Sequence, residues 1–87
     1  MMGTCLMCRR YSRLERHHIF GGPYRRKSER YGLVAHLCHW CHNEPPEGVH
    51  HNAANMLRLK QYGQRKAMQE NGWSVEDFIR EFGKNYL

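Results

Sequence analysis

Four cysteines and seven histidines are the residues of this chain whose types and spacing can do chemistry, and all eleven lie in residues 5–51. Cys5 and Cys8 form one Cys-x2-Cys pair, Cys38 and Cys41 form a second, and 29 residues separate the two pairs. Such paired knuckles read as one soft, tetrahedral four-sulfur set that selects Zn²⁺ and clamps distant parts of a short chain together. Four sulfurs leave no coordination position open, so this site is structural and any reaction belongs elsewhere. Two disulfides, or four buried free cysteines, fit less well in a chain that shows no export signal. Among the histidines, adjacent His17 and His18 stand out. Two neighbouring imidazoles can divide one task, one binding a metal while the other takes a proton from water near neutral pH.

These groups must be positioned by few elements. Residues 3–10 read as a tight zinc knuckle, and the second half of 12–20 as a short strand stopped at Gly21-Gly22-Pro23. Residues 24–30 are too charged for a core and are expected to form an exposed loop. The β-prone stretch 32–37 delivers the second knuckle, Cys38-His39-Trp40-Cys41, in which Trp40 is expected to pack over the zinc site and His39 to be exposed. Pro45-Pro46 break the chain after His42, and a helix beginning near Glu47 would carry His50. The spacing predicts a helix over 53–70, capped by Asn52, weakened locally by Gly63 and stopped at Asn71-Gly72. A second helix opens on a capping box, Ser74-Val75-Glu76-Asp77, buries Val75, Phe78, Ile79 and Phe82, and ends at Gly83. Tyr62, Trp73 and Tyr86 are expected to join Phe78 and Phe82 in the core.

Composition narrows the classes. Eighty-seven residues make one small domain with a marginal hydrophobic core, so thiolate zinc would supply missing folding energy. No apolar run approaches a membrane span and no signal-peptide core follows Met1, so the expected setting is cytoplasmic, with no membrane partner. The net charge of +6 is unevenly distributed: residues 1–43 hold eight basic and two acidic side chains, residues 44–87 six of each. Arg25, Arg26, Lys27 and Arg30, with Arg9, Arg10, Arg13 and Arg16, form a basic tract able to neutralise phosphates without reading sequence.

Cys-x2-Cys, followed by Glu15-Arg16-His17-His18-Ile19 and then Leu37-Cys38-His39-Trp40-Cys41-His42, resembles the zinc-bound HNH endonucleases of the ββα-metal, or His-Me finger, group, common in phage and bacterial genomes. The resemblance spans roughly residues 5–52. It implies an α+β fold, a ββα-metal finger on a four-cysteine zinc-knuckle site with C-terminal helices, in one domain: 1–52 the zinc-bound core, 53–87 a helical extension. It also implies hydrolysis of DNA phosphodiesters in a bacterial or phage-infected cell. By that resemblance His17 ligates a catalytic divalent metal, His18 is the general base, and His42 and His50 complete the ligand set. All-imidazole ligation suits Zn²⁺, Ni²⁺, Co²⁺ or Mn²⁺ better than Mg²⁺, which remains a candidate in the cell. Arg25, Arg26, Lys27 and Arg30 fall where the family's finger approaches a DNA groove, and Arg16 is placed to contact the scissile phosphate.

One departure stands out. The family's middle Asn, which fixes the loop and orients the base or in some members binds the metal, would fall at Leu33. His36, Asn43 and Asn52 are candidate substitutes. Its absence leaves a second class open: a non-catalytic zinc module that binds nucleic acid, or docks a partner such as a phage packaging or recombination protein. Activity on plasmid DNA separates the two.

Overall fold

A computed structural model describes residues 1–87. The elements run β1 (Met2–Thr4), β2 (Tyr11–His18), a 3-10 turn (Gly22–Tyr24), α1 (Arg25–Arg30), β3 (Val34–Cys38), α2 (His39–His42), α3 (Ala53–Asn71) and α4 (Val75–Phe82). This is a small α+β fold with one three-stranded antiparallel sheet in the order β1-β2-β3. No helix is long and apolar enough to cross a membrane.

The first knuckle is the hairpin between β1 and β2. Arg9 takes a left-handed φ of 67°, the Arg9 N–H donates to the Cys5 carbonyl at 3.0 Å, and the Cys5 N–H donates to the Arg10 carbonyl at 2.9 Å. The second knuckle is made where β3 runs into the single turn α2. Leu14 pairs with Cys38 and His18 with Val34 across β2 and β3, so the strand that carries the histidine pair is also the strand that abuts the cysteines. Cys38 is the extended cap of that turn and Cys41 lies within it, and the two residues between them, His39 and Trp40, are both exposed. Trp40 is 62% exposed and does not cover the cysteines, contrary to the sequence expectation.

The segment 24–30 corrects a second expectation: most of it is helix α1, not loop. Charge alone does not forbid a helix that lies on a surface and turns its charges outward. The inward residue is Ser28, fully buried, whose Oγ accepts from the Phe20 N–H at 3.1 Å and donates to the Phe20 carbonyl at 2.7 Å. A small hydroxyl with both bonds made pegs α1 to the end of β2 at little desolvation cost.

α3 and α4 follow the capping signals. Asn52 accepts from the Asn55 N–H at 2.9 Å, Gly72 closes α3 in the left-handed region, and Ser74 and Asp77 form a reciprocal capping box. Ile19, Phe20, Leu33, Leu37, Phe78 and Phe82 are the heart of the core, with Phe20 and Phe82 ring centroids 4.8 Å apart. α3 reaches this cluster through Gly63, where a Cβ would sit 2.7 Å from Ile19 Cγ2 and 3.0 Å from Phe20. The glycine that weakens the helix by propensity therefore lets it approach the residues immediately after the histidine pair. Ile79 and Tyr62, expected in the core, are 38% and 41% exposed. α4 is only eight residues long and fully buries Phe78 and Phe82 alone, an i, i+4 pair, while Trp73 and Tyr86 pack at the margin of the core.

Candidate metal centres and their cleft

The four cysteine sulfurs lie within 4.8 Å of one another, and Cys8 Sγ is 3.7 Å from Cys38 Sγ. That separation is far too long for a disulfide and matches an edge of a tetrahedron with metal–sulfur bonds of about 2.3 Å. Cys5 is buried, which raises a thiol pKa, yet backbone N–H groups of Cys8, Cys38 and Met7 outweigh burial and hold it at about 6. Burial, with the neighbouring thiols, raises Cys38 and Cys41 instead, so one thiolate forms readily and a bound cation would be needed to ionise the whole set.

A second group forms from three places in the chain. His17, His42 and His50 bring ring nitrogens within 4.8 Å of one another, with ring centroids 4.8 to 5.2 Å apart. His17 sits on β2 and His42 at the end of α2. The 47–52 segment is not helical, so His50 does not ride on a helix as the sequence suggested. It lies in turns preceding α3, folded back by bonds from Val49 N–H to the Cys41 carbonyl at 2.8 Å and from His50 N–H to the His42 carbonyl at 3.3 Å. Gly48 permits that reversal, since a Cβ there would lie 2.7 Å from the Glu44 backbone nitrogen.

The donor chemistry of this group suits a divalent ion. His17 is 7% exposed, and its Nε2 is buried without any hydrogen-bond partner. A buried polar atom left unpaired costs about 1–3 kcal/mol unless something else satisfies it. His42 Nδ1 lies 2.8 Å from Glu15 Oε1. An ionised carboxylate only accepts, so Nδ1 carries the proton and the lone pair sits on Nε2, itself 3.1 Å from His50 Nε2. A carboxylate behind a ligating imidazole, fixing its tautomer and ring orientation, is the usual arrangement of a histidine metal site. Three imidazoles leave further positions open, as catalytic rather than structural sites do.

Burial pushes the His17 imidazole down to about 4, with neighbouring His42, His50, His18 and Lys60 adding to the effect. Burial lowers His50 as well. His39 behaves oppositely: its two nitrogens meet Glu15 at 3.1 Å and Glu44 at 2.7 Å, so both carry protons and its pKa is raised, chiefly by Glu15. The sign is testable by NMR titration of the imidazole rings in zinc-loaded protein. At about pH 5, where an ordinary imidazole is mostly protonated, His17 should still be neutral, while His39 should have gained its proton above its ordinary value. Parallel titration of the two would contradict the buried placement of His17.

His18 opens onto the same cleft as His17 and His50, a hollow of about 350 Å³ also bounded by Phe20, Lys60 and Tyr86. Its Nε2–H donates to Glu29 Oε1 at 2.9 Å, which leaves Nδ1 as the acceptor. Glu29 also pairs with Arg16 through both carboxylate oxygens, and Arg16 first, then His18, hold the Glu29 carboxyl down to about 2.

Glu15 and Glu29 are the two functional neighbours that residue-by-residue reading passed over. They are the only acidic side chains in residues 1–43, and each is spent on a histidine. That solitary pair in a basic half was the available signal. Of the candidates for the missing middle Asn, Asn43 donates to Glu15 Oε1 at 3.2 Å, Asn52 is occupied as the α3 cap, and His36 lies on β3 opposite Arg16. Leu33 is fully buried and contributes its backbone, accepting from the Ile19 N–H at 3.0 Å. In the basic tract, Arg25, Arg26 and Arg30 are exposed on α1, whereas Lys27 bonds the Glu81 carbonyl at 2.9 Å and pairs with its carboxylate at 3.5 Å, tethering α1 to α4. Comparison of the chain with protein-family models, with curated proteins and with solved structures finds no match.

Proposed function

We propose that this chain is a metal-dependent DNA endonuclease of the HNH kind, with β2, β3 and the histidines that follow them acting as a ββα-metal finger beside a structural zinc at Cys5, Cys8, Cys38 and Cys41. The observation that carries the reading is the convergence of His17, His42 and His50 around an unpartnered buried Nε2, with His18 on the same cleft. His17, His42 and His50 would hold a divalent ion, which would supply charge neutralisation at the scissile phosphate and the departing 3′-oxygen. His18 takes the proton of the attacking water on Nδ1, because Nε2 is committed to Glu29. Glu29 holds that tautomer and stabilises the imidazolium that forms, much as a buried carboxylate does behind a catalytic histidine elsewhere. Glu29 thereby supplies orientation of the base, one of the tasks left vacant by Leu33. DNA lies along Arg25, Arg26 and Arg30 through its phosphates.

Purified zinc-loaded protein should convert supercoiled plasmid to nicked or linear forms in Mn²⁺ or Ni²⁺, and His18→Ala should not. No conversion by the wild type under any divalent ion would replace this reading with the non-catalytic zinc module. Glu29→Gln keeps an acceptor oxygen but loses the charge, so it should retain KM and lower kcat on the order of 10- to 100-fold, the usual worth of an orienting partner. Its rate should also depend on pH differently from the wild type. An unchanged rate and pH profile would remove Glu29 from the mechanism.

A further inference from the structure

The cleft that holds the histidines does not end at them. It shares Met56, Lys60 and Tyr86 with a shallower groove of about 180 Å³ that continues to Lys84. No carboxylate lines either hollow. The chain has four lysines, and two of them, Lys27 and Lys66, are paired with Glu81 and Glu70. The other two, Lys60 and Lys84, have no acidic partner and are gathered on one aromatic ring, with Nζ atoms 5.3 and 5.2 Å from the Tyr86 centroid.

That ring is held in place. The Tyr86 N–H donates to Gln64 Oε1 at 2.8 Å, and the Tyr86 carbonyl accepts from Gln61 Nε2 at 3.0 Å. Gln64 is fully buried, and its Nε2 donates to Asn85 Oδ1 at 2.8 Å, so both sides of the tail are stitched to α3. The ring also packs against Phe20, the residue two after His18, with centroids 5.5 Å apart. A clamped aromatic that holds two ammoniums by cation–π attraction at one groove, neither of them in an ion pair, offers positive charge that an anion in the groove would meet.

We propose that Lys60, Lys84 and Tyr86 form a phosphate subsite for the polynucleotide strand, taking a phosphodiester neighbouring the one at the histidines. The inference rests on the nuclease reading for the identity of the strand, and on the continuity of the two hollows for its path. Free phosphate has the same charge chemistry, but only a polymer connects the lysines to the histidine end of the cleft. The subsite lies on α3 and the C-terminal tail, apart from the arginines of α1, and reads no sequence because it meets only the backbone.

The test is binding of a short fluorescein-labelled DNA duplex to full-length, zinc-loaded protein across a salt series, without added second metal. Lys60→Gln/Lys84→Gln removes the charge while keeping a polar side chain only one atom shorter, and its thermal melt should match the wild type. The double variant should bind roughly tenfold more weakly, with a log K against log salt slope flattened by up to about two units, one for each phosphate charge that a lysine no longer neutralises. Tyr86→Phe, which retains the ring face, should leave the slope intact. Inorganic phosphate is the competing arm: displacement of the duplex by phosphate at equal ionic strength, equally in wild type and double variant, would overturn the subsite. So would a wild-type slope in a folded double variant, even if plasmid cleavage succeeds. Conversely, if the lysine variant lost binding while no preparation cleaved plasmid, the phosphate subsite would stand and the hydrolytic reading would fall.

Discussion

Cys38→Ser should cost the whole chain its fold, with loss of a cooperative thermal melt and of zinc by elemental analysis. Cys38 is 3% exposed, pairs with Leu14 across β2 and β3, and is the last residue of the strand before α2. Its sulfur lies 3.7 Å from that of Cys8, so one thiolate ties the first hairpin to the second knuckle. Structural zinc contributes about 10–16 kcal/mol of apparent binding energy in small zinc domains, against a total folding stability of about 5–15 kcal/mol for ordinary domains. Weakening the set by one sulfur therefore exceeds what an 87-residue chain can absorb. The loss should not stop at the N-terminal half. Phe20, two residues beyond β2, packs against both Phe78 and Phe82, and Gly63 brings α3 onto Ile19, so the helices have no separate core to fall back on. Retention of a melt near that of the wild type, with zinc still bound, would show that the four sulfurs do not hold the fold.

The second large effect separates His17 from His18. His17→Ala removes the buried, unpartnered nitrogen proposed as a ligand, so the divalent ion should bind more weakly and part of the lost cleavage should return at high metal concentration. His18→Ala should leave metal and DNA bound but slow cleavage by roughly 10²- to 10⁴-fold, the usual worth of a positioned proton transfer. Exogenous imidazole offers a partial substitute for a missing base and none for a missing metal. The measurement is a metal titration of plasmid cleavage for both variants, with binding of the second metal followed by calorimetry in protein whose cysteine site is intact. Loss of the metal in His18→Ala with retention in His17→Ala would exchange the two roles. No effect of either variant on cleavage would remove the nuclease reading altogether.

Local chemistry was legible from the residues alone. The two Cys-x2-Cys pairs announce a common sulfur site, because a tight knuckle fixes two sulfurs within four residues and only their meeting is long-range. The ends of α3 and α4 were equally plain, since Asn52, Gly72, Ser74 and Gly83 act on backbone groups one turn away. Tertiary structure decided what depends on register and packing. The adjacency of His17 and His18 was visible, but their difference comes from β2 alternation, which gives one ring to a buried cluster and the other to Glu29. His50 reaches that cluster through a turn at Gly48 and not through a helix, a choice made by backbone bonds to Cys41 and His42 that no propensity describes. The charged run 25–30 became helix α1 because a single buried hydroxyl found both its partners on Phe20. Tyr86, Lys60 and Lys84 came together because two glutamines on α3 caught the returning tail, an interaction across more than twenty residues with no local signature. Spacing determined which residues could share a knuckle or a cap; the energy of burying Phe20 between sheet and helices determined which distant side chains share a cleft.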